Sequence, residues 1–301
     1  MRWRAYAWLL VLLAFRAVHA QDIEPRQFSN VPVGVNFLLG GYVYTTGGLA
    51  VDPALPITDP KLQTSSAVLA YARAIDLSGL SGRFDVIVPY TRLSGTANYR
   101  GDPIERRVDG LADPAFRLAV NFYGAPALTL EEFNNYRQDL IVGGSLRVTV
   151  PAGQYDSTRI VNIGANRWSL KPELGVSKAV GPWTFELMGA ATFFTGNDDF
   201  YNGRARKQDV IYSFQAHVIR DFSHGIWGAV DATYYRGGQA SIDGEDSGAP
   251  FSNWRYGATL ALPIDRNNSI KTYASNGISA RTGANYKLIG AFWQYRWGGG
   301  M

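Results

Sequence analysis

Tyr286-Lys-Leu-Ile-Gly-Ala-Phe-Trp-Gln-Tyr-Arg-Trp297, near the C-terminal end of the chain, alternates in polarity. Ile289, Ala291, Trp293, Tyr295 and Trp297 share one face of an extended strand. Gln294 and Arg296 share the other, because successive strand side chains point to opposite sides. An apolar face closed by the three aromatics Trp293, Tyr295 and Trp297, opposed by a polar face, is the pattern of the closing strand of an outer-membrane β-barrel. Such strands turn apolar residues to lipid and aromatics to the interface. A half-buried strand of a soluble sheet would alternate in the same way, so the decision falls to the rest of the chain.

Working outward, the same period of two predicts twelve strands. They lie near 35–45, 67–75, 83–92, 113–122, 139–150 and 168–178, then 183–194, 210–220, 225–236, 254–262, 269–274 and 286–297. Several match the roughly 9 to 11 residues that a tilted strand needs to cross a bilayer. Phe84, Val86, Val88 and Tyr90 oppose Arg83, Asp85 and Thr91. Phe116, Leu118, Val120 and Phe122 oppose Arg117 and Asn121. Trp183, Phe185, Leu187 and Phe193 oppose Thr184, Glu186 and Thr192.

The connections alternate as well. Asp76 to Gly82, Ala179 to Pro182, Asp221 to His224 and Asp265 to Asn268 are short, whereas 46–66, 93–112, 151–167, 195–209 and 237–253 are long and polar. Short turns at one end and long loops at the other are the asymmetry of outer-membrane barrels. An even strand number puts both ends of the barrel on the short-turn, periplasmic side. The connection from Tyr123 to Gln138 departs from the rule; its segment 128–136 reads as a small helix capped by Thr129.

Residues 1–20 carry Arg2 and Arg4, an apolar run from Ala5 to Phe15, and small or apolar residues before a cut between Ala20 and Gln21. That is the form of a secretory signal peptide, and the apolar run falls short of the roughly 20 residues of a membrane span. Removing three arginines and no acid lowers the formal net charge from +4 to +1, so the basic character is no nucleic-acid footprint. No later run of 18 apolar residues offers a helical span. The expected organisation is therefore a signal peptide over 1–20, a periplasmic segment over 21–32, and over 33–301 an all-β, antiparallel, up-and-down transmembrane barrel of about twelve strands.

Several phrases through the chain are similar to the outer-membrane "MetA-pathway of phenol degradation" transporter-like family. They are Val31-Pro-Val-Gly-Val-Asn-Phe37, Asp52-Pro-Ala-Leu-Pro-Ile57, Val88-Pro-Tyr90, Gly124-Ala-Pro-Ala-Leu128, Pro151-Ala-Gly-Gln-Tyr-Asp156 and Asn166-Arg-Trp168. The resemblance implies an outer-membrane barrel linked to passage of aromatic or other hydrophobic compounds. It carries over no substrate-binding residue.

With the apolar face toward lipid, the opposite face lines the lumen. Its expected charged members are Arg73, Asp85, Arg117, Arg147, Lys171, Glu173, Glu186, Asp231, Arg255, Lys271 and Arg296, seven basic and four acidic. Fixed charge of one sign sets ion selectivity, so this excess favours anions. One reading joins Arg117, Arg147 and Arg296 into a basic stretch that attracts carboxylated aromatic solutes. The other has the charges pair across the barrel and fill it. Tyr42, Tyr44 and Tyr71 are candidates for inward-facing rings.

Enzyme chemistry finds little support. There is no cysteine, and only His217 and His224 follow the signal, which removes thiol nucleophiles and Cys-zinc sites. Ser213 and His217, four apart on one strand face, stand about 13 Å apart by strand rise, beyond the reach of a nucleophile and its base. The acidic loops 197–199 and 243–246 are better read as solvated than as calcium sites, which need six or more oxygens. The expectation is a monomeric barrel with no cofactor and no metal, whose partners are outer-membrane lipids, the outer-membrane assembly machinery and a small solute, with no nucleic acid. The alternative is a structural or surface-binding barrel acting through its long loops.

Overall fold

The computed structural model describes residues 24–47, 57–99, 101–247, 250–279 and 286–300. Its strands are β1 (Val35–Gly47), β2 (Ile57–Leu77), β3 (Leu80–Tyr99), β4 (Asp102–Leu111), β5 (Ala115–Tyr123) and β6 (Leu140–Thr149). They continue with β7 (Ser169–Val180), β8 (Trp183–Phe194), β9 (Asn197–Phe200), β10 (Arg204–Gln208), β11 (Ile211–Asp221) and β12 (Trp227–Gly237). The last five are β13 (Ala240–Ile242), β14 (Glu245–Ser247), β15 (Phe251–Pro263), β16 (Asn268–Ser279) and β17 (Tyr286–Gly298).

Twelve of these form a closed antiparallel ring in the order β1, β2, β3, β5, β6, β7, β8, β11, β12, β15, β16, β17. β17 pairs with β1 from Val35↔Gly298 to Gly47↔Tyr286, which closes the sheet and leaves no edge. The expected barrel and its twelve strands are therefore present, and Trp183–Phe194 matches residue for residue.

Pairing register assigns the faces, because cross-strand partners share one. Asp85, Arg117, Arg147 and Lys171 follow one another across β3, β5, β6 and β7 on the inner face. Their neighbours Phe84, Leu118, Leu146 and Leu170 are exposed on the outside. Leu174 is 65 % exposed and Phe214 59 %, a cost in water and a requirement in lipid. Aromatics concentrate toward the strand ends. On β17, Trp293, Tyr295 and Trp297 stack in series with ring centroids 6.1 and 5.5 Å apart. At the opposite end, Trp254 stacks on Tyr256 at 6.0 Å and leans on Tyr234 at 4.9 Å.

The loops carry more order than their polarity suggests. The stretch expected as a loop over 93–112 is the far end of β3 folded back on β4, paired from Tyr90↔Leu111 to Tyr99↔Asp102. Strands β14, β13, β10 and β9 form a separate four-stranded sheet in the connections after β8 and β12. At the other end, α1 (Leu130–Phe133) has the expected Thr129 cap: the Thr129 hydroxyl accepts from the Glu132 amide, and the Glu132 carboxylate accepts from the Thr129 amide. Thr129 holds Glu132 below the ordinary carboxylate range through these hydrogen bonds.

Candidate functional site

The inner wall is where a membrane barrel does its selective work, and here it is divided. Charged and polar residues of β3, β5, β7, β8, β11 and β12 occupy one side. On the other, Val43, Tyr286 and Leu288 are buried together, with Val68, Tyr273 and Phe292 packed against them, and Lys271, across from Phe292, and Arg296 are the charged members there. Register puts Val43, Val68, Tyr273, Leu288 and Phe292 on the inner face of β1, β2, β16 and β17.

The charged side is largely paired. Arg117, 7 % exposed, donates through Nε to Asp85 Oδ2 at 2.6 Å, and Arg83 Nε reaches Asp85 Oδ1 at 2.9 Å. Lys171 Nζ lies 3.3 Å from Glu173 Oε2. His217 Nδ1 is 2.6 Å from Asp231 Oδ1, and Thr259 Oγ1 donates to Asp231 Oδ2 at 3.2 Å. Glu186 accepts from Ser177 Oγ at 2.9 Å.

Into this wall folds the segment that precedes β1. Glu24 takes two hydrogen bonds from the Arg117 guanidinium, one of them from Nη2 at 3.0 Å. The Arg26 amide donates to Glu186 Oε2 at 2.8 Å; its side chain reaches Asp221 and lies 4.9 Å over the Trp227 ring. Gln27 donates to Glu173 and, at 3.1 Å, to Ser145 Oγ. Asn30 Nδ2 donates to the Pro126 carbonyl at 3.1 Å, and the Val33 amide to that of Leu128 at 2.8 Å. Thus Glu24 to Asn30 occupies the periplasmic half of the lumen and is fastened to the long periplasmic connection.

Phe28 anchors it. The ring is 1 % exposed and buried with Ala125, Ile141 and Met188. It sits on Gly143 and Gly175, which are cross-strand partners on the inner face. A methyl group at either would stand 2.6 or 2.4 Å from the ring, closer than carbon atoms approach without displacement. The two glycines make the notch the ring occupies. A residual cavity of about 10 Å³ remains near Gln27, Ser29, Ser81 and Asn121, room for about one water molecule. Burial would raise the Glu24 carboxyl, but the facing Arg117, helped by Arg83 and Lys271, holds it well below the ordinary carboxylate range.

Of the expected lumen residues, Asp85, Arg117, Arg147, Lys171, Glu173, Glu186, Asp231, Arg255, Lys271 and Arg296 lie on the inner face by register. Arg73 does not. It pairs with Phe84, whereas its neighbour Ala72 pairs with Asp85, so Arg73 shares the outer face with Leu69 and Tyr71. There its long stem lies on apolar surface while the charge reaches the interface. The inner face of this part of β2 carries only Ala70, Ala72 and Ala74, which the polarity pattern could not separate from the outer one.

Tyr42, Tyr44 and Tyr71 are likewise outward, paired with Ala291, Ile289 and Val86. Nor do Arg117, Arg147 and Arg296 form one basic stretch. The first two are cross-strand neighbours, but Arg117 is held between two carboxylates, and Arg296 sits at the periplasmic rim with Nε on the Arg266 carbonyl at 2.8 Å. Ala20 and Gln21 lie outside the described residues. Asp243 is paired with Arg204 at 2.7 Å, and among the described residues no three His, Cys, Asp or Glu side chains cluster as metal ligands.

The family model described as "Putative MetA-pathway of phenol degradation" matches residues 39–293. The chain belongs to this family. Among solved structures, it is similar to the COG4313 outer membrane channel from Pseudomonas putida F1, with 20 % identity and a TM-score of 0.77, over 92 % of this chain and 100 % of that one. More remote likenesses are the β domain of the Bordetella autotransporter BrkA (12 % identity, TM-score 0.55, 88 % of this chain and 100 % of that one) and the transport unit of the autotransporter AIDA-I from Escherichia coli (8 %, 0.53, 91 % and 92 %). At these identities the likeness is one of fold. No curated protein sequence matches the chain. The fold of this chain is thus also that of an outer membrane channel and of autotransporter domains.

Proposed function

We propose that this protein is a channel of the bacterial outer membrane through which small solutes pass, aromatic or hydrophobic compounds among them, and that it performs no chemistry on them. The observation that carries this reading is the divided lumen. An aromatic and aliphatic wall faces a polar one inside a closed barrel, a lining suited to solutes with an apolar body and a polar end. Membership of the phenol-degradation family agrees with it. Among the described residues no hydroxyl lies within hydrogen-bond reach of His217 Nε2, the ring nitrogen that Asp231 leaves free, which also agrees. On this reading the chain enters the periplasm by a signal cleaved between Ala20 and Gln21, and assembles as a monomer in outer-membrane lipid through the outer-membrane assembly machinery.

The test is uptake of labelled phenol and benzoate into liposomes carrying the refolded mature protein. Uptake above protein-free liposomes is expected, and accumulation of unaltered solute. A second reading, a surface-binding barrel, draws on the ordered sheet of β9, β10, β13 and β14 and on the segment lodged in the lumen. It gains if no solute crosses even when that segment is displaced.

A further inference from the structure

Beyond the lodged segment, the lumen wall of β11, β12 and β15 holds polar side chains for which the described residues supply no partner. Arg255 is the largest fully buried side chain described. Its Nη2 donates to Ser275 Oγ at 3.0 Å and to the Tyr286 carbonyl at 3.3 Å, and its guanidinium lies 3.8 Å from the centre of the Tyr286 ring. Nε and Nη1 have no partner. Among the described residues no carboxylate pairs with it. Thr233, directly across the ladder from Arg255, has a free hydroxyl, and Asn253 has neither amide oxygen nor nitrogen engaged. Gln215 Oε1 and Ser213 Oγ, one strand further on, are unpartnered too. All are at least nine-tenths buried.

Arg117 is held differently. A cation that only fills a barrel is neutralised by its neighbours, as Arg117 is by Asp85 and Glu24. A guanidinium cannot shed its charge, and buried polar groups are normally hydrogen-bonded. Arg255 is also joined, through Tyr286, to the apolar cluster of Val43 and Leu288. A fixed positive charge with free amide and hydroxyl groups, bordered by an aromatic wall, attracts one kind of ligand, which enters as the surrounding side chains move aside, since the unpartnered atoms are closed to solvent. We infer that this patch is a binding site for a small organic anion with an apolar ring, an aromatic carboxylate. The carboxylate accepts from Arg255 and Asn253, and the ring lies toward Tyr286. This rests on the reading of the lumen as a solute route, and it names the solute class. The site stands at the long-loop end of the lumen, one inward-facing position, about 7 Å along the strand, from the ring of residues that holds Asp231.

The test is equilibrium binding of benzoate to the folded protein in detergent at neutral pH, read by calorimetry, with benzamide as the uncharged analogue of the same shape. Wild type is expected to bind benzoate at least about tenfold more tightly than benzamide, the scale of one charge-assisted hydrogen bond. In Arg255→Met that preference is expected to vanish, and in Arg255→Lys to return in part. Equal binding of the two ligands by wild type overturns the proposal and needs no variant to fold. So does a preference that survives in Arg255→Met. Because binding is read without transport, benzoate binding with no uptake into liposomes refutes the channel and keeps the site. Uptake without a charge preference does the reverse.

Discussion

Replacing Phe28 by alanine removes the anchor of the lumen segment. The ring is 1 % exposed and fills a notch made by two glycines, so its loss resembles a core truncation. Phe→Ala changes in cores cost about 3 to 5 kcal/mol. The lower figure applies here, because water in the lumen can enter the vacated notch. About 3 kcal/mol corresponds to somewhat more than a hundredfold in the docking equilibrium. The remaining contacts of Glu24, Gln27 and Asn30 keep the segment docked for most of the time, but it opens far more often. Hydrogen exchange reads that directly at the Arg26 amide, which is bonded to Glu186. Its exchange is expected to rise about a hundredfold in Phe28→Ala while amides of β11 and β12 are unchanged. Gly175→Ala should do the same without touching the segment, since the added methyl occupies the place of the ring. A change below about threefold in both variants refutes the notch as the anchor; a change in Phe28→Ala alone refutes the part played by the glycines.

Docking should also respond to acid in a defined window. The Glu24 carboxyl is held below its usual value of 4.5 by Arg117, so its contribution is complete at neutral pH and is lost as pH falls through that lowered value. Exchange of the Val33 amide, bonded to the Leu128 carbonyl and corrected for its intrinsic pH dependence, should speed up as pH falls below the usual carboxylate range; Glu24→Gln should abolish the step. Arg117→Met leaves Asp85 buried and uncompensated apart from Arg83, and removal of one partner from a buried charge set costs about 3 to 5 kcal/mol. Refolding yield, read by heat-dependent gel mobility, should drop sharply, whereas outward Arg73→Gln should refold like wild type. Thr129→Ala removes a helix cap worth about 1 kcal/mol; faster exchange of the Phe133 amide with an unaltered barrel is expected.

The barrel was legible because lipid outside and polar groups inside impose period two wherever the lumen wall is polar, and Ser169–Ser177 and Trp293–Trp297 carry it without interruption. Legibility failed where one face lost contrast. Ala70, Ala72 and Ala74 say nothing about which side of β2 is wet, so the charge of Arg73 reads as inward although the residue faces out. The hairpin of β3 and β4 was hidden for another reason: outside the membrane both faces meet water, so alternation fades while the ladder continues. Within the lumen, the strands identified the charges but not their partners, since Glu24 and Arg117 are brought together only by tertiary folding. A faint signal for the lodged segment existed. Phe28 is an isolated aromatic in a polar stretch, and Gly143 and Gly175 leave two gaps on adjacent inner faces. Joining them required the register of β6 against β7.

Single-channel recording of the refolded mature chain in a planar bilayer under a salt gradient, with Phe28→Ala run beside it, shows whether the lumen conducts and whether its N-terminal segment limits it. Wild type should give small or infrequent current steps, and Phe28→Ala larger or more frequent ones. The reversal potential in both should favour anions, because Arg255 on the lumen wall has no carboxylate partner among the described residues. Silence in both proteins, with folding shown by heat-dependent mobility, would contradict a channel whose route is occupied by its own N-terminal segment.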